Sequence, residues 1–312
     1  MNDDSWIGGP VRLLRSLMFT PGQRQAMIDK ALALGAAGPD ALLFDFEDAV
    51  PPDQKDLARD LVASALKRPH AADGPACIVR VNSAATGRQE ADIGAIVGPQ
   101  LAAILLPKVE RPDEVDAADR LVGELERARG LAPGAIGLIA AIESARAIHG
   151  CVEIALSSPR LRGLMFGAED YARDLGLPVV RSGPGWDLVF ARSTLVNAAA
   201  IGRLMTMDQV HMNFRDLEAE RRDAIASRAL GFTGKCAIHP SQVAIINEVF
   251  SPTPEEVAHA TAVVQAFERA AGAGLGCVML GGQVVEQPIL DRARQVLRSH
   301  ELVVSRRARP AA

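Results

Sequence analysis

The sequence is poor in aromatic residues, which make up 4% of its 312 positions and include a single tyrosine. Proteins that bind single-stranded nucleic acid stack the bases on aromatic side chains, and those that bind duplexes present a basic stripe. This chain has a net charge of −4 with acids and bases interspersed, so nucleic acid is not an expected partner. Its core must be built from Ala, Leu, Val and Ile, which suits parallel strands covered by helices on both faces.

Cysteines and long apolar runs are scarce as well. The four cysteines stand at positions 77, 151, 236 and 277 without CxxC spacing, so a zinc site is not expected. Cys77 and Cys236 lie in or beside apolar runs and are predicted to be small buried residues. The first ten residues are too polar for a signal peptide, and no run approaches the roughly 20 apolar residues of a membrane span. We therefore expect a cytoplasmic protein with no membrane partner.

Glycine-rich phosphate-binding signatures are missing too. Neither GxGxxG nor GxxxxGK[ST] occurs, which disfavours Rossmann and P-loop nucleotide sites. No serine stands in a nucleophile-elbow context.

Eight short apolar runs alternate with amphipathic stretches such as Gln54–Leu66 and Pro112–Arg129. The predicted strands are Leu14–Phe19, Ala41–Phe46, Cys77–Val81, Ala103–Leu106, Gly137–Ile142, Gly163–Phe166, Ala200–Met205 and Cys236–Ile238. Eight βα repeats predict an α/β protein with a (β/α)8 TIM barrel, and a doubly wound open sheet is the competing fold. Polar residues cluster just after the runs, which favours the barrel because its strand ends meet at one mouth.

The pattern changes after about residue 250. Thr253, with Glu256 three residues later, is typical of a helix start, and Gly281-Gly282 between two apolar runs predicts a two-residue hairpin. A last helix is predicted to run to about Val303. We therefore divide the chain into a catalytic barrel, residues 1–250, and a helix–hairpin–helix extension, residues 251–312, within one functional unit.

Two carboxylates follow neighbouring predicted strands. Glu143 ends the fifth run and Asp170 follows the sixth. Mg²⁺ takes one or two carboxylates together with water and substrate oxygens, so this pair is a candidate metal site. The alternative is that each acid lies in the first turn of a helix.

Arg80 ends the third run, where burial of a guanidinium costs free energy unless the charge is paired. It could hold a carboxylate or a developing enolate, or form a structural ion pair with Glu47 or Asp48. Glu47 and Asp48 are themselves further candidate catalytic residues. Lys108 could form a Schiff base, but neighbouring acids raise a lysine pKa, so we favour a charge-balancing role. His239 could be a base, and a structural hydrogen bond is the favoured reading.

An ordered series of motifs spans the chain from about residue 12 to residue 297. The series is RSLMFTPGQR from Arg15, LLFDFEDAVPPDQK from Leu42, VRVN from Val79, LPKVE from Leu106, IESARAI from Ile142, FGAEDYARDLG from Phe166, ARS from Ala191 and GKCAIHPSQV from Gly234. It resembles the HpcH/HpaI aldolase and citrate lyase superfamily, in particular the CitE-like CoA-ester lyases.

The resemblance implies a (β/α)8 barrel that assembles as a trimer or a dimer of trimers. It implies Mg²⁺, with Mn²⁺ as a possible substitute, on Glu143 and Asp170, and an Arg80 that contacts the substrate. It also implies cleavage or formation of a 3-hydroxyacyl-CoA such as malyl-CoA or citramalyl-CoA, with acetyl-CoA or propionyl-CoA and a 2-oxo acid as the other side of the reaction.

Further site residues follow from the same resemblance. The acid/base of members with a carboxyl-terminal lid is often an Asp before a Pro that reaches a neighbouring subunit, and Glu286 in VVEQP stands at that position. Coenzyme A would meet Arg15, Arg24 and Lys55.

Three alternatives stay open. The chain could be a citrate lyase β subunit that acts on an acyl-carrier-protein thioester in a complex. It could be a CoA-binding paralogue without lyase activity, although Arg80, Glu143 and Asp170 speak against that. A plain aldolase that uses no CoA is disfavoured by the FEDAVPP and GKCAIHPSQ segments.

Overall fold

The computed structural model describes residues 13–35, 38–68, 74–178, 186–272 and 275–307. Eight strands form its centre: β1 Ser16–Pro21, β2 Ala41–Asp45, β3 Ala76–Arg80, β4 Leu101–Leu106, β5 Gly137–Ile142, β6 Leu161–Phe166, β7 Met205–Asp208 and β8 Gly234–Ala237. Each strand pairs in parallel with the next, and β8 pairs with β1. The sheet is therefore closed, and the predicted (β/α)8 barrel is confirmed.

Helices surround the barrel and continue into the extension. They are α1 Gln25–Leu32, α2 Lys55–Leu66, α3 Gln89–Ile96, α4 Pro112–Ala128, α5 Ala145–His149, α6 Cys151–Ala155, α7 Ala168–Asp174, α8 Trp186–Gly202, α9 Leu217–Leu230, α10 Pro240–Val249, α11 Pro254–Gly272 and α12 Gln287–Arg307. Within the described ranges, no helix combines the length and apolar character that a membrane crossing requires.

The strands are apolar throughout because both faces of the sheet are buried. Side chains such as Leu17, Leu43 and Ile139 fill the barrel interior, whereas Leu42, Val79 and others pack outward against the helices. Cys77 and Cys236 are buried, as predicted.

The seventh strand was predicted in the wrong place. Residues 200–202 are the last turn of α8, and β7 begins at Met205. On this helix Ala198 and Ala199 are buried while Ala200 and Ile201 are exposed. Strand β7 itself carries Thr206 and Asp208 and so does not form an apolar run. Both polar side chains are buried.

The extension consists of α11, a hairpin of β9 Val278–Leu280 and β10 Gln283–Val285, and α12. The predicted helix start is confirmed, since the Thr253 backbone N–H donates to Glu256 Oε2 at 2.8 Å. The hairpin is confirmed as well: Gly281 and Gly282 turn the chain with φ of 56° and 83°, values that glycine adopts without strain. The last helix continues to Arg307.

The extension contacts the end of the barrel at which the strands begin. The Arg306 guanidinium donates to the Pro39 carbonyl at 2.7 Å and pairs with Asp40, which precedes β2. Arg292 and Val296 of α12 line a cavity together with Arg15, the residue before β1. This amino end lies opposite the mouth formed by the carboxyl ends of the strands.

Candidate active site

The mouth of the barrel opens into a cavity of about 450 Å³. Its apolar lining includes Phe19, Met27, Met165, Val210, Met212 and Ile238, and its charged lining includes Asp48, Arg80, Glu143 and Asp170. A largely apolar cavity with a few converging charged groups is typical of a small-molecule site.

Glu143 directly follows β5 and is 4% exposed. Its Oε1 accepts a hydrogen bond of 2.6 Å from the backbone N–H of Lys108. Burial, joined by the charge of Asp170, raises the pKa of Glu143 to about 7, although the Lys108 hydrogen bond opposes the shift. The carboxylate form is therefore short of compensating positive charge.

Asp170 lies in the first turn of α7, one strand further around the barrel. Its Oδ1 is 2.6 Å from the exposed Arg173 guanidinium, and both Asp170 and Glu143 line the cavity. Among the described residues, this site included, no group of three or more His, Cys, Asp or Glu side chains is placed to hold a metal. Two carboxylates at an open mouth nonetheless fit Mg²⁺, which completes its octahedron with water and substrate oxygens.

Arg80 ends β3 and forms a two-point ion pair with Asp45, with Nε–Oδ1 and Nη2–Oδ2 distances of 2.6 and 2.7 Å. Its Nη1 lies 2.9 Å from Glu47 Oε2, and its guanidinium stands 5.1 Å from the centre of the Phe19 ring. The structural ion pair foreseen from the sequence is therefore present. Arg80 also lines the cavity, so the pairing fixes the guanidinium at the mouth.

The β2–α2 loop carries Glu47 and Asp48 and is held by buried contacts. Asp45 accepts hydrogen bonds from the backbone N–H groups of Glu47 and Ala49 at 2.9 and 3.0 Å. Lys55 Nζ donates to the carbonyls of Phe46 and Glu47, each at 2.7 Å. Lys55 thus stabilises the conformation of this loop.

Lys108 balances the acids of the same loop. Its Nζ hydrogen-bonds Glu47 and lies 3.3 Å from Asp48. Burial acts to lower the pKa of Lys108, but the Glu47 hydrogen bond and the nearby acids raise it above its ordinary value. A Schiff-base lysine needs the opposite shift, so the geometry favours the charge-balancing role.

The structure does not bring together all the residues suggested for coenzyme A. Arg24 is exposed just after β1, on the mouth side. Arg15 is buried at the opposite end, where it pairs with Asp40 at 2.9 Å and donates to Ser251 at 2.8 Å. A guanidinium so engaged is unsuited to a ligand at the mouth. The sequence did offer a signal for this, because Arg15 stands at the start of the predicted strand Leu14–Phe19 and not after it.

Two other suggested residues also lie outside the cavity lining. Glu286 is exposed between β10 and α12, on the extension that contacts the amino end. His239 caps α10 through Ser241, with Nδ1 2.8 Å from the hydroxyl, and its ring stacks on Phe214. The favoured structural reading of His239 agrees with these contacts.

Some residues that shape the site could not be assigned roles from the sequence. Asp45 holds Arg80, and the Lys108 backbone, with a positive φ of 54°, aims its N–H at Glu143. Gly167 follows β6 and packs directly against Glu143. The glycine at the end of a strand, between Phe166 and the acids of FGAED, is the only one of these signals visible in the sequence.

Gly167→Ala should displace Glu143. A Cβ at position 167 would stand 2.5 Å from Glu143 Cβ and 3.1 Å from its Cδ, so the whole side chain has to move. We expect metal-dependent activity to fall by roughly 10–100-fold, as when the groups that orient metal ligands are changed, and Mg²⁺ affinity to fall with it. Gly94→Ala, on α3 with open space around its Cβ position, is the matched control; equal Mg²⁺ affinity in both variants and wild type would contradict the assignment.

Comparison with known proteins agrees with this architecture. Residues 15–240 match the family described as HpcH/HpaI aldolase/citrate lyase. The citrate lyase subunit beta of Escherichia coli is 39% identical over 93% of this chain and 94% of its own length. A (3S)-malyl-CoA thioesterase of Cereibacter sphaeroides is 35% identical over 94% of this chain and 97% of its own length.

Among solved structures, the protein CitE from Mycobacterium tuberculosis, in complex with magnesium, acetoacetate and coenzyme A, is 28% identical with a TM-score of 0.74. The alignment covers 94% of this chain and all of that one. Together with the closed eight-stranded barrel, these matches show that the chain belongs to the HpcH/HpaI aldolase/citrate lyase family, among the citrate lyase β-like proteins.

Proposed function

We propose that the protein is a Mg²⁺-dependent carbon–carbon lyase of the oxo-acid-lyase type. It cleaves or forms a 3-hydroxyacyl-CoA such as malyl-CoA or citramalyl-CoA, with acetyl-CoA or propionyl-CoA and a 2-oxo acid as the products of cleavage. The observation that carries the proposal is the buried Glu143 beside Asp170, with Arg80 lining the same cavity.

Glu143 and Asp170 would hold the metal, for which Mn²⁺ could substitute. When bound, such a cation acts as a Lewis acid toward the carboxylate and keto oxygens of a 2-oxo acid. The structure of the family member from M. tuberculosis, solved with magnesium, acetoacetate and coenzyme A, supports this assignment. Glu143, short of positive charge, is the carboxylate that a cation would stabilise most.

Cleavage breaks the bond between Cα and Cβ of the acyl group. The hydroxyl on Cβ loses its proton and becomes the carbonyl of the 2-oxo acid, while the bonding electrons pass to the thioester enolate, which then takes up a proton. Arg80, held rigidly by Asp45, would stabilise the negative charge that develops on oxygen. Glu47 and Asp48 keep Arg80 and Lys108 in place, and of the two acids Asp48 lines the same cavity.

Coenzyme A would lie across the mouth, with Arg24 and Lys55 near its phosphates. Both follow the carboxyl ends of strands, Arg24 after β1 and Lys55 after β2. Lys55 already donates to two carbonyls, so Arg24 is the more available contact.

Glu286 would act as the acid/base on another copy of the chain, in a homotrimer or a dimer of trimers. The extension contacts the amino end of its own barrel, so Glu286 can serve a mouth only by reaching a neighbouring subunit. Met279 and Val284, which pair across the hairpin before it, are 60% and 52% exposed. An apolar face of this kind is suited to cover a second mouth.

Glu286→Gln should lower turnover by about 10²-fold, the lower range for loss of a general acid/base, and leave Mg²⁺ affinity unchanged. Glu301→Gln, equally exposed further along α12, is the matched control. Mixing Glu286→Gln subunits with Glu143→Gln subunits should recover part of the activity if the residue acts between copies. Unchanged turnover in Glu286→Gln would mean that Glu286 is an ordinary exposed side chain with no role in proton transfer.

Two relatives suggest alternatives with distinct products. A thioesterase, like the C. sphaeroides relative by name, would release free coenzyme A. A citrate lyase β subunit, like the E. coli relative, would require a carrier-protein thioester and a partner.

A substrate panel separates these functions. Purified protein with Mg²⁺ is given malyl-, citramalyl- and β-methylmalyl-CoA, and 2-oxo acid and free thiol are followed in parallel. We expect 2-oxo acid without free thiol, and no reaction after chelation of the metal. Free thiol without 2-oxo acid would favour the thioesterase, and no turnover of any CoA ester would overturn the proposal.

A further inference from the structure

The segment Gly234–Gln242, GKCAIHPSQ, carries four polar side chains that the proposed chemistry does not use: Lys235, His239, Ser241 and Gln242. It spans β8 and the start of α10. Each of these four side chains makes a contact that leads to the same neighbouring loop, residues 209–216, which joins β7 to α9.

That loop forms one side of the cavity. Val210 and Met212 line the cavity, and Met212 is 61% exposed. A loop backbone in this position needs partners for its carbonyl groups if its side chains are to keep a fixed place.

Two carbonyls of the loop are held from behind. Lys235 Nζ donates to the Gln209 carbonyl at 2.7 Å, and Gln242 Nε2 donates to the His211 carbonyl at 2.8 Å. These anchors bracket Val210 and directly precede Met212.

The far side of the loop is held at the surface. The Phe214 ring stacks on the His239 ring with 4.6 Å between centroids. The Ser241 hydroxyl lies 3.4 Å from the Phe214 carbonyl. These contacts come from the N-cap of α10, His239, and from Ser241 in its first turn.

The buried anchor is costly to maintain. Lys235 has no exposed surface, and its Nζ pairs with Asp223 at 2.7 Å. Burial acts to lower the pKa of Lys235, but Asp208, Asp223 and Glu220 raise it above its ordinary value, so the ammonium persists. The same ammonium that compensates these acids also donates to the Gln209 carbonyl, so one buried charge joins the packing of the barrel to the loop.

We infer that the GKCAIHPSQ segment is a positioning device for the substrate cavity, in which Lys235 and Gln242 fix the loop 209–216 and His239 clamps its outer end. None of these residues touches the reacting atoms in this scheme. The inference rests on the proposed function only in treating the mouth as the substrate site.

The test compares variants of the buried anchors and of the surface clamp. Lys235→Met and Gln242→Met remove the two donors, and His239→Ala removes the clamp at an exposed position that tolerates change. Ser227→Ala is the matched control, because the buried Ser227 hydroxyl donates to Asp208 at 2.5 Å without contacting the loop. Hydrogen exchange of amides 209–216 is measured alongside kcat and KM for the CoA ester that wild type cleaves.

We expect faster exchange in 209–216 and a KM raised by about tenfold in the anchor variants, with smaller changes in His239→Ala. Ser227→Ala should keep wild-type values for both. If the buried variants fail to fold, the same measurements are made on Phe214→Ala and His239→Ala. If hydrogen exchange of amides 209–216 in the variants equals that of wild type, the inference is overturned, even if the wild-type protein cleaves no ester. If exchange is faster in the variants but wild type is inactive, only the proposed function is overturned.

Discussion

Glu143→Gln should abolish Mg²⁺-dependent turnover. Glutamine keeps the shape of the side chain and can still accept the Lys108 hydrogen bond, but it removes the charge that holds the cation. Loss of a Lewis acid costs several kcal/mol of transition-state stabilisation, on the order of 10⁴-fold in rate. Asp170→Asn should have an effect of the same kind. Steady-state assays over a Mg²⁺ series give the measurement.

Glu126→Gln is the matched control for Glu143→Gln. Glu126 is a buried glutamate like Glu143, but it lies at the far end of α4, where it accepts hydrogen bonds from the backbone N–H groups of Gly134 and Ile136 at 2.9 Å. Its loss should lower stability and spare the Mg²⁺ response. Glu143→Gln with more than a tenth of wild-type activity at saturating Mg²⁺ would falsify the metal assignment.

The pKa of Glu143 gives this site a pH dependence with a definite sign. A folded-state pKa of about 7 against an ordinary 4.5 means that the folded protein holds this proton more tightly than the unfolded chain. Without metal, stability therefore falls as pH rises between these two values. A bound cation requires the carboxylate, so Mg²⁺ affinity should rise by up to about tenfold per pH unit below 7 and level off above it. Calorimetric titration of wild-type protein with Mg²⁺ at a series of pH values should show this slope, and an affinity that does not change with pH would contradict it.

Arg80→Lys should lower turnover by about 10³-fold, the upper range for loss of a group that stabilises a developing oxyanion. The ammonium keeps the positive charge among Asp45, Glu47 and Asp48, so the fold should survive. It cannot reproduce the two-point pairing with Asp45 while also presenting a donor to the cavity. Mg²⁺ affinity should stay within a few-fold of wild type, which separates this effect from loss of the metal.

Arg160→Lys supplies the comparison for Arg80→Lys. Arg160 is similarly buried and pairs with Asp119 and Glu126 at 2.7 and 2.8 Å, but it precedes β6 at the amino end. It should affect thermal stability alone. Similar turnover in both variants would mean that Arg80 serves only as a structural ion pair.

The sequence was most informative for elements whose residues all have the same surroundings. Strand β5 was predicted at Gly137–Ile142, with the bounds that the structure has, because a strand covered on both sides is apolar from end to end. Strand β7 was misplaced because Thr206 and Asp208 point into a buried polar layer between barrel and helices. No local sequence pattern predicts that such polar side chains are buried. Helix α8 supplied the misleading apolar run.

The candidate site was predictable only as a set of positions. Residues after strands converge in any barrel, so Arg80, Glu143 and Asp170 could be placed at one mouth from the sequence, and all three line the cavity. What holds them could not be foreseen, since the positive φ of Lys108 and the close approach of Gly167 to Glu143 depend on packing between separate βα units. Arg15 differs from these two, because its place before β1 already indicated the amino end; only its partner Asp40, a residue 25 positions away, could not be foreseen.

Asp40 also ties the two ends of the described chain to one place. Arg15, near the first described residue, and Arg306, near the last, both meet its carboxylate. Arg15 and Arg306 therefore lie together on the side of the barrel away from Glu143 and Asp170. A partner that covered this surface would leave the mouth of the same subunit open, so a thioester borne on a large carrier could still approach the cavity that the proposed chemistry needs.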